Sequence, residues 1–285
     1  MASQGVASMF ALALLLGAFA SIPQKAEAIG VCYGMSANNL PPASSVVGMY
    51  RSNGITSMRL YAPDQAALQS VGGTGISVVV GAPNDVLSNL AASPAAAASW
   101  VRNNIQAYPS VSFRYVAVGN EFTGESQAFM APVLSFLART GAPLLANIYP
   151  YFSYTYSQGS VDVSYALFTA AGTVVQDGAY GYQNLFDTTV DAFYAAMAKH
   201  GGSGVSLVVS ETGWPSAGGM SASPANARIY NQNLINHVGR GTPRHPGAIE
   251  TYVFSMFNEN QKDAGVEQNW GLFYPNMQHV YPISF

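Results

Sequence analysis

Gly30-Val31-Cys32-Tyr33 is an apolar run; Pro41-Pro42 then opens a helical stretch through Val46 and Tyr50, Asn53-Gly54 closes it, and Thr56 to Tyr61 (TSMRLY) is a second apolar run. Strand, proline-started helix, Asn-Gly stop and strand is the unit from which parallel sheets are built. The pattern extends along the chain. Further strand-like runs lie at Ile76 to Gly81, Phe113 to Gly119, Leu144 to Tyr149, Val205 to Ser210 and Ile249 to Phe257. Pro94 opens another helix through Trp100 and Ile105, and one more spans Asn226 to Val238, before Gly239 and Pro243. Such alternation predicts parallel strands joined by crossover helices.

Polar and aromatic residues gather where these runs end: Tyr33, Arg59 with Tyr61, Asn120-Glu121, Asn147 with Tyr149, Glu211, and Asn258-Glu259. In a TIM-type (β/α)8 barrel that rim carries the active site. A doubly wound open sheet would instead place a Gly-x-Gly-x-x-Gly loop after an early strand, and none occurs there. From Tyr151 to Gly204 the pattern breaks. Val161 to Phe168 and Val174 to Gln176 read as two short strands of a hairpin and Asn184 to Lys199 as a helix. Val161 follows the Leu144 strand too closely for a parallel crossover, so this stretch reads as a small subdomain inserted at the rim.

Met9 to Ala20 (MFALALLLGAFA), followed by Ala26-Glu27-Ala28, has the form of a secretory signal cut before Ile29; its apolar core is shorter than the roughly 20 residues a membrane span needs. The rest, 29–285, has the length of one large domain. Charged residues make up only 9% and the net charge is −3. Without a basic cluster, nucleic acid and anionic lipid are poor partners. A neutral polar partner fits better. Cys32 is the sole cysteine, which excludes an internal disulfide, and its apolar neighbours predict a buried, inert thiol. His200, His237, His245 and His279 show no metal-ligand spacing, so neither metal nor cofactor is expected.

Three acids follow apolar strands directly, in Val118-Gly119-Asn120-Glu121, Val209-Ser210-Glu211-Thr212-Gly213-Trp214-Pro215-Ser216 and Met256-Phe257-Asn258-Glu259-Asn260-Gln261-Lys262. A carboxylate there is costly unless it is paired or used. Singly, each is more often a satisfied structural acid. Together on one rim, among Tyr and Trp, they match sugar hydrolysis, which needs two carboxylates about the scissile bond and aromatic faces for sugar C–H groups.

The runs IGVCYG from Ile29, VGNE from Val118, APLLANIYPYF from Ala142, SETGWPSAGG from Ser210 and FNENQK from Phe257 resemble plant endo-1,3-β-glucanases of glycoside hydrolase family 17, over almost all of 29–285. The resemblance implies a (β/α)8 barrel, retention of configuration, and cleavage of internal bonds in β-1,3-glucan of cell walls or fungi. It implies Glu121 as proton donor at the end of barrel strand four, Glu211 as nucleophile at the end of strand seven, and Asn120 as the residue touching the sugar 2-hydroxyl. Glu259 and Lys262 resemble a supporting pair, with Lys262 expected to favour the charge on Glu211. Tyr33 resembles an aromatic of the cleft floor, Asn147 and Tyr149 are further substrate-binding candidates, and Trp214 is expected to hold the loop after the nucleophile.

The family pattern needs eight strands, and seven runs are present. After Glu121 comes one helix, Gln127 to Ala138, and then the Leu144 strand, where the resemblance implies a further helix, a strand and a loop. About one βα unit is missing against that pattern. Two other readings stay open: a non-catalytic glucan-binding protein with an inherited cleft, and a β-1,3-1,4-glucanase using the same carboxylates. The expected protein is a monomer, secreted to wall or apoplast, without a membrane anchor or added binding module, and without N-glycosylation since no Asn-x-Ser/Thr occurs.

Overall fold

The apolar runs become β1 (Ile29–Tyr33), β2 (Ser57–Leu60), β3 (Ser77–Ala82), β4 (Ser112–Val118), β5 (Leu144–Asn147), β6 (Val175–Asp177), β7 (Tyr180–Tyr182), β8 (Leu207–Thr212) and β9 (Thr251–Val253) in a computed structural model that describes residues 29–121 and 127–285. The signal expected at Met1 to Ala28 lies outside the described residues. Seven strands form one curled parallel sheet in the order β4-β3-β2-β1-β9-β8-β5. Crossovers include α1 (Ala43–Ser52), α2 (Gln65–Val71), α3 (Asn84–Ala92), α4 (Pro94–Val101), α5 (Gln127–Thr140), α6 (Pro150–Tyr156), α7 (Val163–Ala166), α8 (Leu185–Lys199) and α9 (Pro224–His237). This is the TIM-type architecture with seven strands in place. Among the described residues no helix is long and apolar enough to cross a membrane.

Local chemistry sets the helix starts. Asp64 Oδ1 accepts from the Ala67 amide at 2.7 Å, and Ser93 Oγ from the Ala96 amide at 3.1 Å with Pro94 at the first helical position. Each side chain satisfies an amide that has no partner inside its helix. Between helices and sheet, Val31, Met58, Val78, Val80 and Val209 are fully or almost fully buried. Burying one such side chain is worth about 1.5–3 kcal/mol.

Among the described residues the sheet does not close: β4 pairs with β3 alone and β5 with β8 alone, although β4 and β5 are consecutive strands. The structure therefore leaves two edges rather than moving β5 over to β4. These edges are also less covered: β4 reads exposed at both ends and mostly half-buried between them, whereas β2 and β8 are buried throughout.

The rim insertion differs from its sequence reading. Val161 to Phe168 is not a strand: the Asp162 carboxylate accepts from the Ser164 amide at 2.7 Å and starts the short helix α7. The hairpin instead pairs β6 with β7, turning at Gly178, whose φ of 57° lies in the left-handed region that glycine adopts without steric cost. The last barrel strand, expected over Ile249 to Phe257, is regular only over Thr251–Val253.

Candidate active site

β8 delivers Glu211 into the barrel mouth, where it is 4% exposed. An ionised carboxylate at that depth needs counter-charge and donors. Arg59, from β2 and 3% exposed, donates through Nη1 to Glu211 Oε1 at 2.9 Å and to the Ser210 carbonyl at 2.7 Å. The Tyr149 hydroxyl donates to Glu211 Oε2 at 2.8 Å. Burial pushes the Glu211 carboxyl above its ordinary range; Arg59, Tyr149 and the neighbouring Tyr61 hydroxyl pull it back, and Glu121 adds to the rise. Burial also raises the Tyr149 phenol far up, so Tyr149 stays a donor.

Glu121 leaves β4 through a bend in which Gly119 has φ 82° and Glu121 itself φ 52°. A non-glycine residue there costs on the order of 1–3 kcal/mol, a strain found where side chains are aimed for function. Its carboxyl is exposed, and Asn147 ties it to the buried acid: Asn147 Nδ2 donates to Glu121 Oε1 at 3.4 Å, while Asn147 Oδ1 accepts from Arg59 Nη1 at 3.3 Å and from Ser210 Oγ at 3.0 Å. Arg59 Nη2 donates to Asn120 Oδ1 at 2.8 Å. One guanidinium thus binds Glu211, Asn120 and Asn147, side chains from three strand ends, by its fork of fixed donors.

Around this centre lies a cavity of about 700 Å³ whose wall includes Tyr33, Asn120, Glu121, Tyr149, Glu211, Glu259 and Lys262. Asn147 acts from behind that wall. Glu259 takes the Ser36 amide at 2.7 Å and Lys262 Nζ at 3.4 Å, and a Cβ on Gly34 would collide with its carboxylate. The Gly in GVCYG therefore makes room for the supporting acid. Lys262 also sits over the Phe254 ring at 4.1 Å. Lys262 and Glu259 form the expected pair, but the cation in contact with Glu211, a part the sequence reading gave to Lys262, is Arg59.

Other sequence expectations find their places. Cys32 is fully buried, its thiol pushed up to about 12 by burial, with Sγ donating to the Ser210 carbonyl at 3.4 Å. Trp214 is fully buried and its indole N–H donates to the Ser221 carbonyl at 2.9 Å, closing the loop after Glu211. The sequence reading left Trp270 and Glu267 unassigned; both line the cavity. Trp270 packs against Tyr149 at 5.1 Å and Phe152 at 5.7 Å, making an aromatic wall. Two carboxylates of unlike exposure, an aromatic wall and neutral amides are the equipment of a glycosidase.

The chain belongs to glycosyl hydrolases family 17, whose profile matches residues 29–128 and 121–285. It is 67% identical to lichenase-2 of Hordeum vulgare, over 92% of this chain and 100% of the relative. To the acidic isoform of glucan endo-1,3-beta-glucosidase of Zea mays it is 50% identical over the whole of both chains. Among solved structures, one of two plant beta-glucan endohydrolases with distinct substrate specificities superposes with a TM-score of 0.88 at 68% identity, covering 90% of this chain and 100% of that one. CJP38, a beta-1,3-glucanase and allergen of Cryptomeria japonica pollen, gives 0.86 at 37% identity over 90% and 98%.

Proposed function

We propose that this protein is a β-glucan endohydrolase that cleaves β-1,3-type glucan with retention, using Glu211 as nucleophile and Glu121 as acid/base. The observation that carries the reading is the asymmetry of the two acids at one cavity. Glu211 is buried and faces Arg59, the condition for a carboxylate that must be anionic when it attacks the anomeric carbon. Glu121 is exposed at the same cavity and linked to Glu211 through Asn147 and Arg59, the placement an acid/base needs to meet a leaving oxygen and then water. Glu121 gives its proton to the departing sugar, Glu211 bonds to C1, and Glu121 then takes a proton from the water that releases the sugar. A carboxyl separation of about 5–5.5 Å in a sugar complex is expected for this course. Asn120, Tyr33 and the wall of Tyr149 and Trp270 hold the glucan. Glu259 and Lys262 support the centre.

The 67% identity to lichenase-2, against 50% to the Zea mays glucosidase, favours a second reading in which the preferred polymer is mixed-linkage β-1,3-1,4-glucan. Reducing-sugar release from laminarin, lichenan and carboxymethylcellulose tests both: faster release from laminarin supports the first, faster release from lichenan the second, and none from either removes the enzyme in favour of a glucan-binding protein.

We also infer that this chain lacks about one βα unit after Glu121. The open edges of β4 and β5 support this, as do the family profile breaking at 121–128 and an alignment to lichenase-2 spanning 312 positions, more than the 285 residues of the chain. We also propose that the protein is secreted, which the leader pattern of Met1 to Ala28 supports. A mature product beginning at Ile29 would support it, and retention of Met1 would overturn it.

A further inference from the structure

Away from the cleft, a second cavity of about 390 Å³ opens between the loop after α7, the end of β7 and the helices α8 and α9, and shares no wall residue with the catalytic one. Its wall includes Phe168, Gln183, Asp187, Asn236, His237 and Arg240. Phe168 is held at φ 61°, a left-handed backbone that a bulky residue adopts only when its surroundings impose it. One side of its half-buried ring packs on Phe186, Tyr230 and His237. His237 Nε2 is committed to Asp187 Oδ1 at 2.6 Å. The Gln183 side chain, the Asn236 amide nitrogen and the Arg240 guanidinium form no hydrogen bond or ion pair among the described residues, so their donors are free.

We propose that this cavity is a second saccharide site, which docks a stretch of neutral glucan apart from the catalytic cleft. Arg240 and Asp187 carry opposite formal charges, so with His237 counted as neutral the wall has no net formal charge to favour a phosphate or carboxylate ligand. What remains is an aromatic ring, two amides and a guanidinium fork, a set that meets the C–H faces and paired hydroxyls of a neutral sugar. The choice of glucan rests on the proposed function. A polymer held at this site stays on the enzyme, which raises the effective concentration of its other segments at the catalytic cleft.

The test uses the full chain carrying Glu211→Gln, which holds glucan without turning it over, titrated calorimetrically with β-glucan oligosaccharides of laminarin and lichenan type. The expected stoichiometry is two per chain. Adding Arg240→Ala and Asn236→Ala, exposed residues just beyond and within the last turn of α9, should remove the second event and leave the first. In a background with Glu211 intact, the same pair should slow release from long polymer by about tenfold, the loss of roughly 1.4 kcal/mol of docking, and leave short oligosaccharide turnover unchanged. A stoichiometry of one in the parent, two events unaffected by the substitutions, or displacement of the second event by inorganic phosphate would overturn the proposal. The outcomes separate from the function itself: hydrolysis with a single binding event sinks only the second site, and two binding events without hydrolysis sink only the enzyme.

Discussion

Replacing Arg59 by Met tests the centre most severely, because the substitution keeps most of the side chain's bulk and removes the charge that faces Glu211. Four bonds are lost: to Glu211 at 2.9 Å, to the Ser210 carbonyl at 2.7 Å, to Asn120 at 2.8 Å and to Asn147 at 3.3 Å. The Ser210 carbonyl keeps the Cys32 thiol as a donor, so the stranded charge of Glu211 sets the scale. Breaking a buried ion pair by removing one partner costs about 3–5 kcal/mol, a fall in Tm of roughly 10 °C for a domain of this size. Glu211 escapes part of that cost by holding a proton. Its carboxyl, already raised in the native protein above the ordinary 4.5, rises further in the variant. The folded state then binds the proton more tightly than the unfolded chain does, so ΔG of unfolding falls as pH climbs from the unfolded to the folded value. The deficit of Arg59→Met should be small below about pH 4.5, open as pH rises above it and level off once Glu211 is ionised in both states. A protonated Glu211 does not attack, so kcat should drop on the order of 10²–10³, the loss typical of one electrostatic partner, with the acid limb of kcat/KM moved to higher pH. Thermal melts and rate profiles across pH 4 to 8, the range that spans ordinary carboxylate titration, read both effects. An equal deficit at every pH, together with an unmoved acid limb, would refute the assignment of Arg59 as the partner of Glu211.

Tyr149→Phe removes the donor to Glu211 Oε2 and should likewise move the acid limb of kcat/KM upward, with a smaller stability loss of about 1.5–3 kcal/mol for a hydrogen bond to a charged group; an unshifted limb contradicts it. Lys262→Met should leave that limb in place, because Lys262 pairs with Glu259, and a shift as large as that of Arg59→Met would show that it acts on Glu211 after all. Inserting the family's helix, strand and loop after Glu121 should close the edges of β4 and β5, and so raise Tm, soluble yield and rate together. If the natural chain already equals a full-length relative in all three, the account of the gap is wrong.

The barrel was legible because it is written locally. Runs such as Ile76 to Gly81 and the Pro-opened helices announce themselves within a few residues, and the count of seven strands matched the sheet. The hairpin was misplaced for a local reason too: Val161 to Phe168 has strand composition, but the cap that Asp162 provides outweighs it. The acids were legible by position and by motif. Arg59 stood out only as a polar residue at a strand end, and its role could not be read because it lies 152 positions from Glu211. Which cation meets which carboxylate is decided by strand order across the barrel mouth, where β2 faces β8, and no spacing in the chain encodes that. Lys262 and Glu259, three residues apart in one motif, do pair as the resemblance implies, whereas the cation in contact with Glu211 is Arg59.

The central claim is that Glu211 bonds to the sugar while Glu121 moves the protons, and azide trapping tests the two roles at once. On a β-glucan oligosaccharide with an activated aryl leaving group, Glu211→Ala should be inert until azide is added and then release the α-glycosyl azide, since azide attacks from the face the nucleophile has vacated. Glu121→Ala should still form the glycosyl-enzyme and release the β-glycosyl azide. The opposite anomers, or hydrolysis at the native rate by either variant, would contradict the account.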